Sequence, residues 1–158
     1  MYNSLFSYFF GASSGFSLQL HERIRITENS RFTESNGVVS GNVTKNNPYI
    51  ISDWETKAIT IMHTTAHFII KNCKIYGERD TSSNEIFLLD TVNGTIEKVA
   101  INNSRGIFFS GSDNHIENCD ISNCNHDIYL FKGSGNHIVN SGPVTFRLPS
   151  DESDNFVY

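Results

Sequence analysis

The sequence predicts an all-β protein: a right-handed single-stranded parallel β-helix of about five coils with an N-terminal cap. Three observations predict this fold class. The 158 residues include 18 Asn, and Ser, Thr and Gly are also abundant; these types are weak helix formers, whereas the chain's Ile, Val, Phe and Tyr favour strands. Apolar triplets recur 21 residues apart, at 86–88, 107–109 and 128–130. No repeat unit contains the ~10 residues of 3.6-residue periodicity that indicate a helix.

Each repeat unit contains three short apolar segments separated by Asn, Gly and Ser turns. The anchors of these segments are Ile86, Ile107 and Ile128, then Ile96, Ile116 and Ile138, and then Ile101, Ile121 and Val144. We expect the three-stranded coils to stack at about 4.8 Å, so that each buries its apolar side against its neighbours. An earlier unit shows the same pattern at 70–75, with 77–84 as an inserted loop. An antiparallel sandwich or barrel is the alternative, because alternation and turns are expected there too.

Asparagine recurs at one position of the repeat. Asn72, Asn118 and Asn140 occupy it, and Lys98 replaces Asn in the unit between the first two. Asn tolerates the left-handed backbone conformation of a tight corner, and its amide can bond to an Asn stacked above it. We therefore interpret this column as a structural ladder at a corner. Asn114 and Asn136 form a similar pair.

We divide the chain into a cap and lead-in segment at 1–55, the coils at 56–148, and an acidic, polar tail at 149–158 that leaves the solenoid. A cap is expected because the end of a β-helix exposes unpaired strands. The apolar run at 5–10 is broken by Ser7 and lacks a basic segment before it, so it is not a convincing signal peptide. We nevertheless expect an extracellular or cell-envelope location. No apolar stretch is long enough to span a membrane.

Three segments resemble a known family. These are RFTESNGVVSGN at 31–42, NPYIISDWE at 47–55 and HTTAHFIIKNCKI at 63–75. They are similar to the leading segment and first coils of archaeal NosD-like proteins, which carry right-handed β-helix repeats of the PbH1 type. The resemblance covers roughly residues 24–140 and implies a pectate-lyase-like solenoid. The family includes secreted and surface-layer proteins, accessory proteins of copper enzymes, and carbohydrate-active relatives.

An aromatic column is the best candidate for a binding feature. Phe87, Phe108 and Tyr129 share one repeat position. If their side chains point outward, they form an apolar patch suited to carbohydrate; if they point inward, they are part of the core. The sequence leaves both possibilities open, because the residues on either side of each aromatic are also apolar.

Two histidines are candidates for a metal site. His115 and His137 occupy equivalent positions and should lie one rung apart, about 4.8 Å. The family resemblance adds an association with copper. Zinc and copper sites usually need three or four ligands, and the preceding unit offers Thr95 at this position, so we expect no cofactor and keep copper or zinc as a hypothesis.

Carboxylates are candidates for catalysis or for calcium. Asp113, Glu117, Asp120 and Asp127 are spaced so that they spread around one coil. Glycoside hydrolysis needs two carboxylates at a defined separation, and a calcium-dependent lyase needs several around the ion. Carboxylates spread around a coil do not share one face, so we assign no catalytic residue.

The three cysteines divide into two classes. Cys73 and Cys119 share a repeat position with Val99 between them, which predicts inward, apolar thiols too far apart for a disulfide. Cys124 follows Ile121 in a corner, where it could be a free surface thiol.

The function that this sequence favours is non-enzymatic. We expect a surface or envelope β-helix module that binds glycan or assembles with copies of itself, end to end or laterally. The alternatives are a polysaccharide lyase or hydrolase, and a degenerate copy of a larger NosD-like protein. The net charge of −5 argues against nucleic acid as a partner, because phosphate binding needs a surplus of Lys and Arg.

Overall fold

The computed structural model describes residues 17–76, 85–102, 105–124, 127–142, 144–146 and 154–158. Within them the strands form three sheets. Sheet A contains β1 (Gln19–Leu20), β5 (Trp54–Thr56), β8 (Lys74–Tyr76), β11 (Ala100–Asn102) and β14 (Asp120–Ser122). Sheet B contains β2 (Ile24–Ile26), β6 (Ile59–Thr64), β9 (Ile86–Val92), β12 (Ile107–Ser112), β15 (Ile128–Lys132) and β17 (Val144–Phe146). Sheet C contains β3 (Val38–Ser40), β4 (Tyr49–Ser52), β7 (Phe68–Lys71), β10 (Gly94–Glu97), β13 (His115–Glu117), β16 (His137–Val139) and β18 (Phe156–Val157).

From β4 to β15 the chain visits the sheets in the order C, A, B, whereas after β16 the next described strand, β17, lies in sheet B. Five coils begin in turn at β4, β7, β10, β13 and β16, and each strand pairs in parallel with the equivalent strand of the next coil. Ile86, Ile107 and Ile128 are direct partners in sheet B. The predicted right-handed parallel β-helix is therefore confirmed. The predicted place of Val144 is wrong, because it pairs with Ile128 in the same column of sheet B and not with Ile121 in sheet A. The sandwich alternative is wrong, because among the described strands the antiparallel ladder is confined to β3 and β4.

The core consists of the inward columns of the three sheets. Ile59, Ile86, Ile107 and Ile128 form one column in sheet B, and each is 0% exposed. Sheet C contributes a matching column of isoleucines, from Ile51 in β4 to Ile138 in β16. Full burial of each such side chain contributes about 1.5–3 kcal/mol. The recurring isoleucines therefore hold each coil against the next.

The predicted asparagine corner lies between sheets C and A. Asn72, Asn118 and Asn140 have φ angles of 50°, 51° and 48°, so all three are left-handed as expected. Asn140 donates an amide hydrogen bond to Asn118, its neighbour one coil below, at 3.4 Å. Lys98 adopts the same conformation, with φ of 52°, although this costs a side chain other than Gly, Asn or Asp about 1–2 kcal/mol.

An aromatic stack fills the lower part of the interior. Phe32 lies parallel to Tyr49, with ring centroids 4.5 Å apart, and its centroid is 5.9 Å from that of Phe68. Gly94 is the next residue in the same column of sheet C. A Cβ on Gly94 would lie 2.3 Å from the Phe68 ring, so glycine is required where the aromatic stack ends.

An asparagine ladder continues this column upward. The side-chain oxygen of Asn114 accepts the backbone N–H of Gly94 at 3.0 Å, that of Asn136 accepts the N–H of Asn114 at 3.0 Å, and that of Asn155 accepts the N–H of Asn136 at 3.2 Å. The Asn136 amide donates to the carbonyl of Gly111 at 2.9 Å. The predicted pair at 114 and 136 is confirmed, and Asn155 is a third member that the prediction did not include.

Strand pairing runs across both of the domain boundaries proposed from the sequence. Before residue 56, strands β1, β2 and β4 already belong to sheets A, B and C. Phe32, 7% exposed, lies over the lower end of the core. The expectation that the tail leaves the solenoid is wrong at its end, because Phe156–Val157 pairs with β16. The inserted loop at 77–84 lies outside the described residues.

Candidate binding face on sheet B

The aromatic column lies on the outer face of sheet B. Phe87, Phe108 and Tyr129 are half-buried, and each lies between two fully buried apolar residues of its own strand. Since side chains alternate along a strand, the aromatics point away from the core. Their rings stack at centroid distances of 4.9 Å and 5.5 Å with interplanar angles of 12° and 16°. The two orientations that the sequence left open are thus resolved in favour of the surface.

A fourth ring widens the column at its upper end. Phe131 is 43% exposed, and its centroid is 6.1 Å from that of Phe108. The pairing of β12 with β15 passes from Phe109–Leu130 to Ser110–Lys132 and skips Phe131. Such an extra residue is a β-bulge, which redirects a side chain. It brings Phe131 onto the aromatic surface, together with Phe87, Phe108 and Tyr129, and we call these four residues the aromatic ridge.

Charged side chains border the ridge at the carboxyl ends of the same strands. Asp90 is skipped in the pairing of β9 with β12, as Phe131 is in the next pair of strands. One Asp90 carboxylate oxygen lies 3.6 Å from Lys132 Nζ and the other 3.4 Å from His63 Nδ1. All three side chains are about half exposed. The border therefore offers both donors and acceptors to a ligand on the ridge.

The histidine pair lies on a different face. His115 and His137 are paired residues of sheet C with ring centroids 6.1 Å apart, and His115 Nε2 is 3.3 Å from a Glu117 oxygen. His137 also stacks on Phe156 at 4.9 Å. In the described parts of the chain, no three His, Cys, Asp or Glu side chains are grouped as a metal site requires. His115, His137 and Glu117 therefore do not form the set of three or four ligands that copper or zinc usually needs, and metal uptake stays an untested hypothesis.

The candidate carboxylates do not converge on one face. Asp113 is a left-handed corner residue, Glu117 lies in sheet C, Asp120 in sheet A, and Asp127 immediately before β15. They thus spread around one coil, as their spacing indicates. Burial raises the pKa of Asp127. A further carboxylate that sequence reasoning missed is Glu85, which is 2% exposed and accepts the backbone N–H of Arg105 at 3.0 Å.

The cysteines comprise two buried thiols and one half-buried thiol. Cys73 and Cys119 are 0% and 5% exposed, so the prediction of inward thiols is confirmed. Burial raises the pKa of Cys73 to about 12 and that of Cys119 to about 11. Cys124 is half-buried and packs against the core, so it is less exposed than the predicted surface thiol.

Comparison with known proteins agrees with this architecture. Residues 57–142, more than half of the 158, match the model of a family described as "Right handed beta helix region". The chain belongs to the right-handed β-helix family. No curated protein and no solved structure matches this right-handed β-helix protein significantly. In the part of the chain that the structure describes, no helix has the length and apolar character needed to cross a bilayer.

Proposed function

We propose that this right-handed β-helix protein is a non-enzymatic module that binds a glycan on the outer face of sheet B. The observation that carries the proposal is the outward orientation of Phe87, Phe108 and Tyr129 on three successive coils. Solenoids commonly use such extended faces for binding. A contiguous apolar surface bordered by polar residues is typical of an interaction site.

The stacking geometry determines which part of the aromatic ridge a ligand meets. Because Phe87, Phe108 and Tyr129 lie nearly parallel at about the rung spacing, the rings share their faces with one another. The edges of the rings therefore form the accessible part of the column. A linear polysaccharide can pack its apolar C–H surfaces along this line, while its hydroxyl groups reach the border at Asp90 and Lys132.

The placement of the carboxylates supports a binding role over hydrolysis. Hydrolytic pairs stand about 5–5.5 Å or 6.5–9.5 Å apart across the scissile bond. Asp113, Glu117, Asp120 and Asp127 lie in a corner, in two different sheets and at the edge of the third. Turnover of a uronic-acid polymer by the purified protein would nevertheless favour the lyase or hydrolase alternative.

A glycan array followed by calorimetric titration tests the proposal. The informative variant is Phe108→Thr, because the same outward column already has Thr60 one coil below Phe87. We expect this variant to lose binding by at least tenfold. The control is His137→Ala, which removes an exposed ring from sheet C and should leave the affinity unchanged. Equal binding by wild type and Phe108→Thr, or no binding to any glycan, contradicts the proposal.

A second candidate function is end-to-end self-association. Val157 pairs with the buried Ile138, yet is itself 43% exposed, and Phe156 and Tyr158 beside it are 43% and 74% exposed. Among the described strands none pairs with the other edge of Phe156–Val157, and an apolar strand at the edge of a sheet favours pairing with another chain. Sedimentation velocity over a wide concentration range tests this. Association that Val157→Asp abolishes supports it, whereas a monomer at every concentration excludes it.

The narrower assignments belong to this same proposal. A NosD-like role and a surface or envelope location are supported by the resemblance of the segments at 31–42, 47–55 and 63–75. Fractionation of the source cells, with detection of the protein in the envelope fraction, tests the location.

A further inference from the structure

A buried hydroxyl group lies within the aromatic ridge. Ser110 is two residues after Phe108 on β12 and pairs with Leu89 and Lys132, so the alternation of side chains places it on the outer face of sheet B. It is nevertheless 0% exposed. Neighbouring side chains of that face must therefore cover it. The bulge residue Phe131 is adjacent, since the β12–β15 pairing skips it between Leu130 and Lys132.

Ser110 has no hydrogen-bond partner among the described residues. Leaving a buried hydroxyl group unsatisfied costs about 1–3 kcal/mol. Alanine would avoid this cost, and the outward position does not require a polar residue for folding. Polar groups that are kept at a cost in stability are typical of functional sites.

The surroundings of Ser110 indicate which chemistry would satisfy it. On the rungs below and above lie Asp90 and Lys132, whose charged groups are 3.6 Å apart and pair with each other. Together with His63 they leave little net charge at this border. A carboxylate and an ammonium group side by side, with a hydroxyl group next to them, match adjacent hydroxyl groups that both donate and accept hydrogen bonds.

We propose that Ser110, Lys132 and Asp90 form a subsite for one pyranose unit of a neutral polysaccharide, which opens when the Phe131 ring turns aside. This inference rests on the proposed glycan-binding function and deepens it. In the bound state the Ser110 hydroxyl group exchanges hydrogen bonds with a sugar hydroxyl group. The stacked rings of Phe87, Phe108 and Tyr129 hold the neighbouring units of the chain.

The proposal predicts that one variant is both more stable and a weaker binder. We expect Ser110→Ala to raise the melting temperature by about 2–4 °C, because it removes an unsatisfied buried group. It should weaken binding by about tenfold, since one hydrogen bond to the sugar is lost. The matched control is Ser122→Ala on sheet A, where the hydroxyl group accepts a bond from Asn102 at 3.2 Å. The control should not be stabilised and should bind as wild type does.

The experiment is calorimetric titration of wild type, Ser110→Ala, Ser122→Ala and Tyr129→Thr with cellohexaose, xylohexaose, mannohexaose and a galacturonate hexamer. Suppose that a neutral hexasaccharide binds, and that Tyr129→Thr weakens this binding but Ser110→Ala does not. In that case the subsite is wrong and the glycan-binding function stands. If none of the four binds, the neutral-polysaccharide subsite is wrong, and the glycan array decides whether the glycan-binding function stands. Preference for the galacturonate hexamer contradicts the neutral ligand, and a lower melting temperature for Ser110→Ala contradicts the unsatisfied hydroxyl group.

A thiol-access measurement tests the movement of Phe131 without relying on affinity. Ser110→Cys is placed in a Cys124→Ser background, in which the remaining thiols at 73 and 119 are buried. We expect slow labelling by a maleimide, at least tenfold faster labelling after Phe131→Ala, and slower labelling with saturating oligosaccharide. Labelling at the rate of an exposed thiol, or a rate unaffected by Phe131→Ala, contradicts the covered subsite.

Discussion

Replacing Gly94 by alanine tests the packing of the interior column most directly. An ideal Cβ at this position lies 2.3 Å from Phe68 Cζ and 2.9 Å from the side-chain oxygen of Asn114. Both neighbours are at most 1% exposed, so neither can move into solvent. The same change disturbs the hydrogen bond from the Gly94 N–H to Asn114, which is 3.0 Å long.

Three effects determine how much Gly94→Ala changes the free energy of unfolding. Overpacking a core costs about 1–3 kcal/mol, a weakened hydrogen bond about 0.5–1.5 kcal/mol, and the reduced freedom of the unfolded chain offsets about 0.4–1 kcal/mol. Gly94→Ala should therefore lower the free energy of unfolding by about 2 kcal/mol. For a chain of this size, the melting temperature falls by about 4–8 °C.

Thermal and denaturant unfolding, monitored by circular dichroism, provide the assay, and Phe68→Leu provides the partner for a double-mutant cycle. Leucine lacks the ring atom nearest the new Cβ, so Gly94→Ala should cost at least 1 kcal/mol less in the Phe68→Leu background. Thr95→Ala, the next residue on β10, points outward and serves as the control. An unchanged melting temperature for Gly94→Ala, or additive effects in the cycle, would refute the reasoning.

Three further predictions concern the ladders and the buried thiols. Asn136→Leu keeps a similar volume but leaves the N–H of Asn114 unsatisfied, and should lower the free energy of unfolding by about 2–3 kcal/mol in urea titrations. Lys98→Asn should raise the melting temperature by about 2–4 °C, because Asn tolerates the left-handed φ of 52° better than Lys; no gain would contradict this. The free energy of unfolding should fall as pH rises above about 9. Cys73 and Cys119 keep their protons in the folded state to about pH 12 and 11, whereas in the unfolded chain they lose them at about pH 9. Each buried thiol should therefore contribute a slope of up to roughly 1.4 kcal/mol per pH unit. In the C73V/C119V variant this slope should disappear, and a slope that persists would assign it to other groups.

The fold could be predicted from the sequence because each coil repeats the same inward residues. Ile86, Ile107 and Ile128 are 21 residues apart, and a regular period in a solenoid translates directly into a column of contacts. The left-handed corner at Asn72, Asn118 and Asn140 could also be predicted from the sequence, because few residue types tolerate that conformation.

The candidate binding face could be predicted only in part from the sequence. In β12 the residues Ile107, Phe108 and Phe109 are all apolar, so hydrophobic alternation does not distinguish the inward side chains from the outward one. Only the burial of each side chain in the folded coils does so. The charged border was missed because Asp90 occupies a bulge, which shifts the apparent repeat by one residue. Nothing in the local sequence of Ser110 indicates that it is fully covered.

The return of the chain at Phe156 had a signal that was overlooked. Asn155 lies before Phe156 as Asn136 lies before His137 and Asn114 before His115. The polar composition of 149–158 obscured this match, because seven of its ten residues are Pro, Ser, Asp, Glu or Asn.

The asparagine ladder repeats the same hydrogen bond from coil to coil, and this bears on how a β-helix can gain coils by duplication. The side-chain oxygen of each Asn accepts the backbone N–H of the residue one coil below, and its own backbone N–H donates to the Asn one coil above. A tandem copy of the 21 residues from 107 to 127 would therefore meet, on both of its faces, the same chemistry that the original meets. Growth by duplication of whole turns needs no new interface, and the ladder gains one asparagine with each added turn.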